Sequence, residues 1–302
     1  MKKRIILLLT FVLIMAMPIH VFGESYNPKD ITGSSEYVTK TEYEKLVTES
    51  KDIDSLNDFK EFTTKNESVK LTNKQEKAIN KNIDPEIVDS LVDEKIEIIG
   101  KKINNLGYID SSDVDAVQTE DGYIYEKEFD LGDGVKGTFT LEDGKDPTAI
   151  DIIGSQLKNI FVDEVYGITW EGSTIWKEKG NRRVTYTYKL TYNTGHAYVV
   201  LVNRYKITSN SNLLERESEC ESYLKSSVGT STWSNGTDPK NIIKTAKAVG
   251  KYIGVQSKFT RTSTVGGVIN GQSTYQVSSY VMLAGKTTNG AHVRHGFEQK
   301  KL

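Results

Sequence analysis

The chain has 302 residues, of which 26% are charged and 9% are aromatic, and its formal net charge is −2. This length is enough to bury a sizeable core. The single cysteine, Cys220, excludes a disulfide within the chain, and we expect it to be a small buried residue of a strand.

The first 23 residues have the pattern of a secretory signal peptide. Three cations at positions 2 to 4 precede an apolar run that ends at Met17 and is shorter than the ~20 residues needed to span a bilayer. The pattern predicts cleavage near Gly23-Glu24, secretion to the extracellular space, and no transmembrane segment in the mature chain. A large exported chain without disulfides is typical of bacteria.

Charge is distributed unevenly along the chain. Residues 24–164 contain 17 basic and 33 acidic side chains, whereas residues 165–302 contain 19 basic and 8 acidic side chains. A basic half indicates an anionic partner. The alternative is that the two halves attract each other.

The first part of the mature chain is predicted to be helical. Residues 24–40 have the composition of a flexible leader, and residues 41–121 form an acidic helical region. Thr41 and Glu44 have the spacing of a capping box, which predicts the start of the first helix. Apolar residues at helical spacing predict two further helices, over 56–62 and 74–81.

The clearest helix is predicted from Pro85 to about Asn105. Asp84 is a good N-cap and Pro85 suits the first helical position. Apolar residues then recur every three or four positions, which makes one continuous stripe. Gly107 can adopt the left-handed conformation that ends a helix.

Residues 122–164 are expected to connect the two halves with a hairpin and a helix. Tyr123 to Leu131 and Val135 to Leu141 alternate around a glycine-rich turn, which predicts the hairpin. Pro147 then opens the predicted helix.

Residues 165–302 are predicted to be a basic antiparallel β domain. Alternation over 184–192, 197–208 and 213–224 indicates three consecutive strands. A helix is expected over 239–250, a hairpin around Asn270-Gly271, and a last strand over 292–297. The expected fold class is therefore α+β: a helical N-terminal region followed by an antiparallel β-sheet, sandwich- or barrel-like, C-terminal domain.

Four glutamates in the third of these strands recur at every second residue, which predicts an acidic ridge on one face. They are Glu215, Glu217, Glu219 and Glu221. A strand edge protected by charge is favoured over a cation site for this ridge.

The sequence contains no recognisable catalytic, cofactor-binding or nucleic-acid-binding motif, so we expect no cofactor and no bound metal. The mature chain has three histidines: His196, His292 and His295. On a strand, His292 and His295 would lie on opposite faces, which does not suit a shared metal ion.

The tyrosines provide the strongest indication of a binding surface. Tyr186, Tyr188 and Tyr192 share one face of a predicted strand, and the next strand contributes Tyr198, Arg204 and Tyr205. Aromatic rings on a basic sheet are typical of surfaces that bind anionic polymers. The alternative is a sandwich core in which these tyrosines pack.

These features predict a secreted, non-enzymatic binding or interaction protein. It would act at the cell envelope or on an anionic extracellular partner, which could be a cell-wall polymer, a membrane surface or a protein. One alternative is a secreted hydrolase that uses His196, His292 or His295. A second is a β-pore-forming toxin-like protein, because Ser257–Thr264 and Ser273–Ser279 can pair as a polar hairpin.

Overall fold

Helices come first and strands follow in the part of the chain that the structure describes. The computed structural model describes residues 37–146, 175–226, 232–235, 240–265 and 268–302. The predicted signal peptide, most of the predicted leader and the helix expected after Pro147 lie outside these residues.

The described N-terminal residues form four α-helices. They are α1 (Lys40–Glu49), α2 (Leu56–Lys65), α3 (Asn73–Asn80) and α4 (Pro85–Asn104). Each helix begins after a side chain that accepts a backbone N–H. The capping box of α1 is formed by Thr39 and Glu42, two residues before the predicted pair, since Thr39 Oγ1 accepts from the N–H of Glu42.

Helix α4 has the predicted bounds and caps. The Asp84 carboxylate accepts the N–H of Glu86 at 2.8 Å, Pro85 is the first helical residue, and Gly107 has a φ of 66°. The buried stripe of α4 includes Ile96 and Ile99. The sequence therefore determined this helix through its own caps and period.

Apart from two 3₁₀ turns, over Ser50–Asp52 and Glu217–Glu219, the remaining elements of the described residues are strands. They are β1 (Tyr108–Ile109), β2 (Ala116–Gln118), β3 (Tyr123–Asp130), β4 (Lys136–Lys145), β5 (Ile175–Glu178), β6 (Gly180–Tyr192), β7 (Gly195–Ile207), β8 (Leu213–Glu215), β9 (Glu221–Ser226), β10 (Thr232–Asn235), β11 (Lys240–Ile243), β12 (Thr245–Ala246), β13 (Tyr252–Val265), β14 (Val268–Lys286) and β15 (Gly290–Lys301).

The strands form two large antiparallel sheets. Sheet A has the order β1-β15-β14-β13-β10, with β11 also paired to β13 and β5 to β15. Sheet B has the order β12-β8-β7-β6-β4-β3-β2, with β9 also paired to β7. The fold is α+β, as predicted.

The inner faces of the two sheets pack against each other. Phe139 on β4 lies 4.4 Å from Phe297 on β15, measured between ring centroids, and Tyr186 on β6 stacks on the same Phe297 ring. Helix α4 joins this core, because the Ile99 side chain occupies the space that a Cβ on Gly137 of β4 would need. Helices and sheets therefore share one hydrophobic core, and the described residues from Tyr37 onward belong to one compact unit.

The hairpins that the alternation predicted are present. Strands β3 and β4 pair from Tyr123↔Asp143 to Asp130↔Lys136, and β6 and β7 pair along their full length. The last predicted strand is also present and is longer than expected. Alternation of apolar and polar residues, bounded by turn residues, was thus sufficient to predict these elements.

The predicted strand over 213–224 is wrong in its middle. It divides into β8 and β9, and a 3₁₀ turn over Glu217–Glu219 separates the two strands. Glu215 is buried on β8, so the four glutamates do not form the predicted ridge. Cys220 is buried as expected, but it lies at the end of the turn and not within a strand.

The helix predicted over 239–250 is wrong. Within this range, Lys240–Ile243 form β11, which pairs with β13, and Thr245–Ala246 form β12, which pairs with β8. Their backbone groups are satisfied by neighbouring strands, so tertiary pairing outweighs the local helix signal.

The hairpin predicted around Asn270-Gly271 is present, but its turn is elsewhere. Val265 pairs with Val268, and Asn270 is the extra residue of a bulge inside β14. A bulge accounts for a turn-forming residue within a strand.

None of the helices in the described residues is long and apolar enough to cross a membrane.

Candidate binding face and buried charged cluster

Four of the six predicted binding residues lie inside the sandwich. Tyr186, Tyr188, Tyr192 and Tyr205 are buried, and they point from sheet B into the core. Burial raises the pKa of each of these four tyrosines well above its ordinary value. In this fold their side chains are not presented to a partner at the surface.

The other two predicted residues lie on the outer face of sheet B. The ring of Tyr198 stacks on that of His196 at 6.1 Å with an interplanar angle of 11°. The Arg204 guanidinium bonds the carboxylate of Glu221 at 2.6 Å and lies 3.3 Å from that of Asp146. The six residues therefore do not share one surface.

A second group of tyrosines lies on the outer face of sheet A, and the sequence analysis missed it. We call Tyr108, Tyr252 and Tyr280 the tyrosine platform. Tyr280 on β14 and Tyr252 on β13 pack edge to face at 5.6 Å, and the hydroxyl of Tyr280 donates to Glu298 at 3.1 Å. Tyr108 on β1 is 47% exposed.

Two glycines allow these rings to lie against the sheet. Gly296 on β15 pairs with both Tyr108 and Tyr280, and Gly254 on β13 pairs with Tyr280 from the other side. A Cβ at Gly296 would come within 2.5 Å of the Tyr108 ring, and a Cβ at Gly254 within 2.8 Å of the Tyr280 ring. Only glycine leaves the space that these ring positions need.

Cations flank the tyrosine platform. Antiparallel partners share a face, so the register places four basic side chains on the outer face of sheet A. They are Lys240, Lys258, Arg294 and Lys300. Glu298 is the one acidic residue of the chain after position 251, and it lies among them. The outer face of sheet A is therefore both aromatic and basic.

A buried charged cluster joins the two sheets on their inner faces. Asp143 on β4 contacts Lys177 on β5 through Oδ1 and His295 on β15 through Oδ2. The side chains of Asp143, Lys177 and His295 are 0%, 4% and 1% exposed. Tyr123 covers the cluster, because its ring stacks near His295 and lies 5.8 Å from Lys177 Nζ.

The charges of this cluster depend on one another. Burial raises the pKa of Asp143, but attraction to Lys177 and then to His295 outweighs it and holds the pKa below its ordinary value. His295 Nδ1 and the hydroxyl of Tyr123 are buried, with no hydrogen-bond partner among the described residues. The cluster is thus a polar site enclosed in an aromatic core.

The three histidines do not converge on one site. His295 lies on the inner face of β15, His292 on its outer face, and His196 on the outer face of sheet B. In the described part of the chain, no group of three metal-ligating side chains could hold a metal ion. His295 meets the carboxylate of Asp143 at a position closed to solvent.

No family model, no curated protein and no solved structure matches this chain.

Proposed function

We propose that this protein is a secreted, non-enzymatic binding protein that holds an anionic, sugar-containing polymer of the cell envelope on the outer face of sheet A. The observation that carries the proposal is the tyrosine platform with its flanking cations. Aromatic rings offer flat apolar faces to the C–H faces of sugar rings. Lysine and arginine form charge-assisted hydrogen bonds with phosphate or carboxylate groups.

The extent of the tyrosine platform favours an extended ligand. It reaches from β13 across β14 and β15 to β1, and three strand spacings correspond to about 14 Å. This length exceeds that of one sugar ring. A polymer with repeated units can therefore contact several rings at once.

The geometry gives less support to the alternative functions. A hydrolase needs a substrate to reach its histidine, and His295 with its Asp143 partner is enclosed by the core. A membrane hairpin needs its side chains free for lipid, and the inner faces of β13 and β14 supply core residues such as Val255 and Val277. A hydrolase that uses His295 and a membrane hairpin would each require the core to open.

The test is sedimentation of the purified protein with bacterial cell walls that either retain or have lost their anionic polymers. We expect binding to the intact walls only. Tyr108→Ala and Tyr280→Ala should each weaken binding about tenfold, because a well-packed aromatic contact contributes over ~1 kcal/mol. Added salt should weaken binding further, since it screens exposed charges.

Tyr223→Ala is the matched control, because Tyr223 is 40% exposed on β9 of sheet B. This variant should bind walls like the unaltered protein. Equal losses for Tyr223→Ala and Tyr280→Ala would contradict the proposed face. Binding to anionic lipid vesicles in place of walls would identify a membrane surface as the partner and refute a wall polymer.

A further inference from the structure

The buried charged cluster brings an amine and a carboxyl group into contact in the core. Asp143 belongs to sheet B and Lys177 to sheet A, so the contact bridges the two layers. Water is excluded from both groups. In such surroundings a separated ion pair carries a large desolvation cost.

The backbone holds both residues in position. A Cβ on Gly122 would overlap the carbonyl of Asp143, and a Cβ on Gly290 would overlap the carbonyl of Lys177. Each reacting residue is therefore packed closely against a glycine: Asp143 against Gly122, just before β3, and Lys177 against Gly290, at the start of β15. Groups fixed in contact react far faster than the same groups free in solution.

We propose that Lys177 and Asp143 form an intramolecular amide bond that covalently joins the two sheets. Lys177 Nζ is the nucleophile and Asp143 Cγ is the carbon that it attacks. The product is a neutral amide, which removes both buried charges. The bond takes the place of the disulfide that a chain with one cysteine cannot form within itself.

The reaction is a condensation and needs no oxidant or external reactant. The Lys177 ammonium passes one proton to the carboxylate, which leaves a neutral amine and a carboxylic acid. Nζ then bonds to Cγ, and the Cγ–Oδ2 bond breaks. Oδ2 leaves as water with two of the three ammonium protons, and the third stays on the amide nitrogen.

His295 is placed to assist the leaving oxygen. Its Nε2 bonds Oδ2, whereas Lys177 contacts the other carboxylate oxygen, Oδ1. Once Nζ has bonded to Cγ, Nε2 takes the proton that Nζ loses and delivers it to Oδ2 as that oxygen departs. His295 is therefore a catalytic residue of the condensation and is not consumed.

Lys95 provides a comparison within the same protein. Its Nζ is equally buried and lies 2.6 Å from an Asp133 carboxylate. The Asp133 side chain is 34% exposed, and the Leu131 carbonyl and Glu94 also accept from Nζ. Solvent and several acceptors stabilise the ammonium there, so Lys95 remains an ion-pair partner.

The test is the mass of the intact full-length protein under denaturing conditions, with its N-terminus read from the same peptide map. We expect a deficit of one water and a branched peptide that contains both Asp143 and Lys177. Lys177→Arg should restore the full mass, because a guanidinium is not nucleophilic. Lys95→Arg, the matched control, should keep the deficit.

Two results would overturn the proposal. One is a full mass for the unaltered protein. The other is a deficit that persists in Lys177→Arg, since Asp143-Gly144 can lose water by closing a ring on its own backbone. His295→Gln tests the proton transfer separately: a smaller cross-linked fraction supports the role of His295, and an unchanged fraction refutes it.

Discussion

Glu215 shows how a single buried carboxyl group can control the pH dependence of stability. Its Oε2 has no hydrogen-bond partner among the described residues, and its Oε1 lies 3.6 Å from the Cys220 sulfur. Burial raises the pKa of Glu215 from about 4.5 to about 8. The folded protein therefore holds a proton that the unfolded chain releases.

The free energy of unfolding should fall as the pH rises from about 4.5 to about 8, because the folded state binds more protons in this window. Glu215→Gln should remove this contribution and make the protein more stable at pH 8. Urea denaturation at both ends of the window measures the effect. Glu128→Gln, at an exposed position of β3, should leave the slope unchanged, and an unchanged slope in Glu215→Gln would contradict the assignment.

Helix α4 is attached to sheet A by a buried arginine. Arg261 on β13 donates from Nη2 to the Asp89 carbonyl at 2.6 Å, and its Nη1 lies 3.1 Å from the Asp93 carboxylate. Both Arg261 and Asp89 are buried. Arg261 thus places a buried cation beside two carboxylates of the helix.

Arg261→Met should destabilise the protein by about 3–5 kcal/mol at neutral pH, because it removes a buried cation from these carboxylates. Burial already raises the pKa of Asp93, and loss of Arg261 should raise it further. The folded variant then binds an extra proton, so its deficit should shrink towards pH ~4. Urea denaturation at the two pH values measures this. The control Arg183→Met, on the outer face of sheet B, should lower the free energy of unfolding much less. If the loss of stability in Arg261→Met did not depend on pH, the proposed mechanism would be contradicted.

The elements that could be predicted from the sequence are those whose caps, turns and hydrophobic periodicity all lie within the element itself. Helix α4 has both caps and a continuous stripe, and the β3–β4 hairpin has a glycine-rich turn between alternating strands. Strands β11 and β12 were missed because only pairing with distant strands makes them extended. The 3₁₀ turn inside the predicted 213–224 strand is only three residues long, so it has no recognisable hydrophobic periodicity in the sequence.

The candidate site was less predictable than the fold. Tyr186 and its neighbours could be recognised from the sequence because they alternate along one strand. That alternation, however, places their side chains on the inner face of the sheet, where they form the core. Tyr108, Tyr252 and Tyr280 are far apart in sequence and meet only through strand pairing. The signal that could have found them is Gly254 and Gly296, since glycine inside a strand marks a close approach.

At the scale of the whole molecule, part of the charge difference between the two halves of the chain is neutralised by ion pairs within the protein. Acidic residues of the first half pair with basic residues of the second at Glu97–Lys301, Asp93–Arg261, Asp143–Lys177 and Asp146–Arg204. These pairs support the alternative that the halves attract each other. The outer face of sheet A carries further cations, and our proposal assigns that face to a partner.

Because helices and sheets share one core, we expect the whole described unit to unfold in a single transition. Far-UV circular dichroism reports the helices, and near-UV circular dichroism reports the packed tyrosines of the sandwich, of which Tyr186 and Tyr205 are fully buried. The two signals should have the same urea midpoint. Ile99→Ala should shift both midpoints together, since Ile99 packs in the core from α4 against β4 and its loss should cost about 2–5 kcal/mol. If the helical signal alone moved, the helices would be a separate folding unit, and the charge pairs between the halves would join two domains that fold independently.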